Sequence, residues 1–204
     1  PAWNPDTVSN EIWRWADGAL QRLTDTPEDD LVAVLGDDAV YWRCGEAICR
    51  WSETGGTRVL DEGPCFEPDA HGARAAWICD SKVRLYDGVT DEVRTVSDHE
   101  WPAVGVRLYG ERLVWVETEP DQEWEPGVGR LVYSDGVSRF EVAPVGLPCL
   151  YCGAYWPPLD LSLADGVLAW NYAVPPETED PPWYGHGAPA AFARIDETRR
   201  CPAE

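Results

Sequence analysis

A short motif recurs along the chain and limits what it can fold into. A turn containing glycine leads into a run that ends on tryptophan: Gly36-Asp37-Asp38-Ala39-Val40-Tyr41-Trp42, Gly72-Ala73-Arg74-Ala75-Ala76-Trp77, Gly110-Glu111-Arg112-Leu113-Val114-Trp115 and Gly166-Val167-Leu168-Ala169-Trp170. Pro1-Ala2-Trp3 reads as the end of a further copy. A second short run then reaches a turn. These are Ile12-Trp13-Arg14-Trp15 before Asp17-Gly18, Ile48-Cys49-Arg50-Trp51 before Gly55-Gly56, and Val83-Arg84-Leu85-Tyr86 before Asp87-Gly88. Leu131-Val132-Tyr133 before Asp135-Gly136 and Ala191-Phe192-Ala193-Arg194-Ile195 before Asp196 complete the set. A third β-like run follows most of these turns, as in Leu20-Gln21-Arg22-Leu23, Thr57-Arg58-Val59-Leu60, Val93-Arg94-Thr95-Val96 and Arg139-Phe140-Glu141-Val142. Asp-Gly and Gly-Gly between short alternating runs signal hairpins, because these residues reach positive φ at low cost. Helical periodicity is absent.

The unit is therefore four short antiparallel strands, a to d, with a before the glycine turn and b carrying the tryptophan. The a strands are expected near residues 31–35, 66–71, 103–108 and 158–163. Tandem four-stranded units of about 40 residues are the signature of propeller blades. A β-sandwich also has evenly spaced short strands, but nothing in it calls for Gly, Trp, an aromatic residue and Asp-Gly in repeating order. The expected fold is all-β, a β-propeller of four full blades plus a partial N-terminal blade, with units near 1–25, 31–61, 66–98, 103–144 and 158–204. The run Asp38-Ala39-Val40-Tyr41-Trp42, with Ile48, Arg50, Gly55-Gly56 and Val59-Leu60, resembles the blades of YWTD-like and TolB-like β-propellers. Residues 83–115 are similar, with Leu85-Tyr86-Asp87-Gly88, Ser97-Asp98, Pro102, Gly110 and Val114-Trp115 at fitting places. The resemblance covers nearly the whole chain as a pattern. It implies a fold whose members are mostly binding and scaffolding modules, and a fold does not fix an activity.

The blade count does not close, because the first unit lacks its a strand. An unpaired strand edge exposes backbone donors and acceptors, so a missing N-terminal segment or a second chain is expected to complete the propeller. The rival is a five-bladed ring that borrows a strand from residues 145–155. The chain opens on Pro1 with no methionine, signal peptide or long apolar run, and reads as a mature or truncated product. Its net charge of −21 repels phosphate backbones and anionic lipid headgroups, so neither nucleic acid nor membrane insertion is expected. Charge spread along the whole chain reads first as solubility. Seven cysteines without a repeated metal-ligand spacing point to an oxidising compartment: extracellular, cell-surface or periplasmic.

In such a fold the d-to-a and b-to-c connections emerge at one end, and the irregular segments of this sequence fall there. Residues 117–129, 143–158 and 175–189 form connections much longer than the two-residue turn Asp80-Ser81, and long loops on a rigid scaffold commonly carry function. They bring Trp101, Trp124, Tyr151, Tyr155, Trp156, Trp183 and Tyr184 together with Glu100, Asp121, Glu123, Glu125, Glu177 and Asp180. Loop aromatics suit protein interfaces and sugar stacking, and they also fill loop interiors. Trp42, Trp77, Trp115 and Trp170 are core. Bridges are expected for Cys44 with Cys49, Cys65 with Cys79 and Cys149 with Cys152, leaving Cys201 free or paired outside the chain.

Other chemistries find weaker support. Cys149-Leu150-Tyr151-Cys152 lacks the second ligand pair of a zinc site, since His71, His99 and His186 stand at no supporting spacing and read as loop or surface residues. It also lacks the helix N-terminus of a redox motif. Asp160-Leu161-Ser162-Leu163-Ala164-Asp165-Gly166 alternates leucine like a strand rather than oxygen ligands like a calcium loop. No nucleophile elbow, phosphate loop or dinucleotide fingerprint appears. No metal or cofactor is expected. The expected function is a non-catalytic binding or assembly module whose aromatic loop face contacts a protein or glycan. The alternatives are a propeller-fold glycan hydrolase or lyase using loop carboxylates, and a purely structural subunit.

Overall fold

A computed structural model of the chain describes residues 10–27, 29–97, 100–118, 127–147, 161–164, 167–171 and 190–194. It divides into two compact units, residues 1–99 and 100–204. In the first, β1 (Trp13–Ala16) and β2 (Ala19–Arg22) form a hairpin. Strands β3 (Asp30–Leu35), β4 (Ala39–Cys44), β5 (Ala47–Ser52) and β6 (Gly56–Asp61) form one sheet in chain order, and β7 (Cys65–His71), β8 (Arg74–Cys79), β9 (Lys82–Asp87) and β10 (Glu92–Thr95) form another. Every neighbouring pair is antiparallel. The turn residues dictate this: Asp17-Gly18 and Asp80-Ser81 all lie at positive φ (52°, 76°, 51° and 62°), the mirror-image geometry that matches strand twist.

Alternation along the strands makes both faces of a sheet apolar. Val40 and Trp42 of β4 pack with Ile12 and Leu23 of the hairpin region, whereas Ala39 and Tyr41, with Ile48, meet Ala75, Trp77, Cys79 and Tyr86 of the following sheet. Trp42 and Trp77 are 1% and 0% exposed. The β-meander thus becomes a stack of layers, each layer sealed by the tryptophan of the next.

In the second unit, β11 (Ala103–Tyr109), β12 (Arg112–Thr118), β13 (Gly127–Ser134) and β14 (Arg139–Leu147) form a four-stranded sheet. Strands β15 (Leu161–Ala164), β16 (Val167–Asn171) and β17 (Ala190–Arg194) form a three-stranded one. Val114, Val116, Leu131 and Tyr133 pack on Leu161, Leu163 and Leu168. Trp115 points from the other face of its sheet and is fully buried.

Two expected connections are shorter than the sequence suggested. Gly127 pairs with Leu147, Val128 with Gly146 and Gly129 with Val145, so the β13–β14 hairpin extends into both segments. Residues 145–147 continue a d strand instead of supplying a separate ring-closing one. Trp3, the end of the last expected unit at 195–204 and the side chain of Trp170 lie outside the described residues. No helix occurs among the described residues, hence none long and apolar enough to cross a membrane.

The first strand of each complete sheet is bulged against its neighbour. The register shifts between Leu31 and Val34 in β3, Phe66 and Asp69 in β7, and Val104 and Val106 in β11. Each bulge holds one residue in the left-handed region, Val32 at 51°, Glu67 at 51° and Gly105 at 68°.

Candidate functional site

The end of each four-stranded sheet where b turns into c is fixed by buried polar chemistry. A buried indole N–H needs an acceptor, and each described core tryptophan finds a carboxylate there. Trp42 Nε1 donates to Asp30 Oδ1 at 2.8 Å, Trp77 Nε1 to Asp61 Oδ2 at 2.9 Å and Trp115 Nε1 to Glu117 Oε1 at 2.9 Å. The carboxylates come from the start of β3, the end of β6 and the same strand β12 respectively. Because their sequence offsets differ, the repeat pattern alone did not reveal them.

Glu117 is the most demanding of the three, being fully buried. Arg130 Nε donates to its Oε2 at 2.7 Å and an Arg139 amino group donates to its Oε1 at 2.5 Å. Two cations and three donors thus compensate one buried anion, as a buried charge requires. The same Arg130 guanidinium stands 4.5 Å from the ring centroid of Trp101, and the Arg139 guanidinium stands 5.4 Å from that of Trp115. Thr118 N–H donates to Pro102 O at 2.9 Å and ties the end of β12 to the segment carrying Trp101. Trp101 is half-buried and anchored at the root of the 119–126 connection. Trp124, Tyr151, Tyr155, Trp156, Trp183 and Tyr184 lie outside the described residues, as do Cys149, Cys152 and Cys201.

In the first unit this end is held covalently, by disulfides Cys44–Cys49 and Cys65–Cys79. Cys65 and Cys79 are directly paired across β7 and β8. Cys65 N–H also donates to Glu46 O at 2.8 Å, which joins the β4–β5 turn to the start of β7. Asp61, Cys65 and Cys79 place potential ligand atoms within 4.8 Å of one another, but both sulfurs are committed to the bridge. His71 is exposed at the end of β7, a strand position rather than a loop.

A second polar cluster lies between β5, β6 and β9. Tyr86 Oη accepts from an Arg58 amino group at 2.8 Å and donates to Asp91 Oδ1 at 2.8 Å, while Arg58 pairs with Asp91 directly. The Arg58 guanidinium and the Tyr86 hydroxyl hold the Asp91 carboxyl down at about 2. Burial pushes the phenols of Tyr41 and Tyr86 up.

One apolar surface was not apparent from sequence. Trp13 and Trp15 project from the same side of β1, 51% and 69% exposed, with Leu20 of β2, 59% exposed, paired opposite Trp15. Ile12 and Leu23, which flank the hairpin strands, seal the layer against β4 from the other side.

No family model matches the chain, and no curated protein matches it in sequence. Among solved structures it is similar to the β-propeller domain of the Trilobed protease from Pyrococcus furiosus, with a TM-score of 0.50 at 10% identity over 80% of this chain and 56% of that one. It is also similar to the acylaminoacyl peptidase of Pyrococcus horikoshii, with a TM-score of 0.52 at 9% identity over 80% of this chain and 32% of that one. A TolB structure from Agrobacterium tumefaciens gives a TM-score of 0.49 at 12% identity over 68% of this chain and 59% of that one. The chain spans about a third to three fifths of the length of these structures. At such identities the likeness is one of fold: the chain is an all-β protein built of propeller-type four-stranded antiparallel sheets.

Proposed function

We propose that the chain is a non-catalytic binding and assembly module working in an extracellular, cell-surface or periplasmic setting. The observation that carries this reading is the outward face of the β1–β2 hairpin. Trp13, Trp15 and Leu20 stand in water there, whereas at the matching position of the next sheets Trp51 is half-buried against the preceding layer and Tyr86 is buried against it. A contiguous exposed apolar patch of this kind marks an interaction site. The module is completed by a further segment or a second chain on this face. Its aromatic loop end, rooted on the Trp101–Arg130–Glu117 network, contacts a protein or glycan through Trp124, Tyr151, Tyr155, Trp156, Trp183 and Tyr184. Two disulfides support the oxidising compartment.

The test is light scattering of the 204-residue chain, alone and after incubation with the producer's secreted fraction. Assembly gives a mass above the 22.7 kDa of the chain, and the double variant Trp13→Ser, Trp15→Ser returns it to that value. A mass of one chain in every preparation, unchanged by the double variant, overturns the assembly reading. Alanine at Trp124, Trp156 and Trp183 abolishes retention on a glycan or secreted-protein array, whereas polysaccharide turnover controlled by one loop carboxylate would favour the hydrolase or lyase alternative.

A further inference from the structure

The layers of the first unit are joined by a contact that repeats. The c strands β1 and β5 share the order Ile12-Trp13-Arg14-Trp15 and Ile48-Cys49-Arg50-Trp51. Ile12 and Ile48 both pack forward on the following sheet. The arginine two residues later reaches forward as well. Arg14 lies 5.0 Å from the ring centroid of Trp51, and Arg50 lies 5.8 Å from that of Tyr86. In both layers the capped aromatic is on the next c strand, and an acid in the following c-to-d turn takes a guanidinium. Glu53 accepts from Arg14 at 2.6 Å, and Asp91 accepts from Arg58, whose guanidinium also lies 5.6 Å from the Tyr86 centroid.

The series has an open first member. Trp15 occupies in β1 the place that Trp51 occupies in β5, and Asp17 follows it by two residues as Glu53 follows Trp51. Both Trp15 and Asp17 are exposed. Among the described residues, no guanidinium stands over Trp15 and no cation pairs with Asp17. We infer that Trp15 and Asp17 form a receptor for one arginine, presented by a β-strand of an incoming sheet that packs on Trp13, Trp15 and Leu20. The inference rests on the assembly reading above and names the chemistry that this face takes. A second copy of the chain fits less well at its last described sheet. Counting from Trp170↔Ala191 in β16 and β17 as from Trp42↔Cys49, the position of Arg50 is held there by Phe192.

The experiment uses the full chain and a defined probe, a backbone-cyclised hairpin of residues 47–61 with Cys49 replaced by valine, which displays Arg50 from one strand. Binding is measured by calorimetry with the arginine hairpin and with one in which that arginine is citrulline, its uncharged isostere. The arginine hairpin binds, citrulline weakens it roughly tenfold, and Trp15→Ala and Asp17→Asn in the chain each remove most of the difference between the two probes. Equal binding of both hairpins overturns the arginine assignment and leaves the assembly reading intact. Absence of binding by either hairpin, or binding unchanged by Trp15→Ala, also overturns the assignment, while light scattering judges assembly independently. Trp15 is 69% exposed, so its replacement leaves the fold in place.

Discussion

At the scale of single residues the first unit and the second solve the same problem differently. Trp42 and Trp77 hydrogen-bond to aspartates brought from neighbouring segments, whereas Trp115 uses a glutamate on its own strand that needs two arginines to be buried. Replacing Glu117 by glutamine leaves Arg130 and Arg139 facing a neutral group. Because those side chains keep 20% and 26% of their exposure, the expected loss is about 3 kcal/mol, the low end for breaking a buried pair, read from the midpoint of urea unfolding. Asp91 gives a pH signature. Its folded pKa, about 2, lies below its ordinary 3.8, so its contribution to stability is fully present above the ordinary value and is lost as pH falls towards 2. A carboxyl NMR titration should place its midpoint near 2, and Arg58→Gln should move it back up.

Single strands show where local preference and fold disagree. Val32 and Glu67 take the left-handed conformation that costs a residue with a side chain about 1–2 kcal/mol, while Gly105 takes the equivalent place freely. Val32→Gly should therefore raise stability by roughly 0.5–1 kcal/mol after the flexibility of glycine is counted, and Gly105→Val should lower it, both measured by thermal unfolding. These bulges also mark the limit of what is legible in sequence. Strand order, hairpin turns and core tryptophans follow from Gly-to-Trp spacing and Asp-Gly turns, since those residues act locally. The bulge at Val32 has no such signal, because a β-branched residue argues for regular strand and tertiary packing overrules it. The extended β13–β14 hairpin was hidden for a related reason: Pro144 and Gly146 read as loop, yet both pair within the ladder. The aspartate partners of Trp42 and Trp77 and the exposed side of β1 depend on what lies across a sheet face, which periodicity does not encode, whereas Glu117 stands two residues after Trp115 on the same strand face.

For the molecule as a whole, covalent and non-covalent fastening are unevenly placed. Both described disulfides lie in residues 1–99, and the described part of the second unit relies on the Glu117 network instead. Reduction should therefore raise hydrogen exchange in β4, β5, β7 and β8 and cost about 2–4 kcal/mol per bridge, while β11 to β13 keep their protection. Mass-resolved exchange with and without reductant checks this. Uniform loosening of both units would show that the bridges do more than hold their own layers.

The bulged strands have one more consequence. Strands β3, β7 and β11 each lie at one end of their sheet, with a row of backbone groups and, among the described residues, no further strand on that side. A straight edge there would be a template on which copies of the chain could add strand upon strand into fibrils. The kink at Val32, Glu67 and Gly105 interrupts that row near its start in every complete sheet, so an added strand cannot run in register along the whole edge. The same distortion that burdens Val32 works against such stacking in a protein whose described residues are mostly short strands.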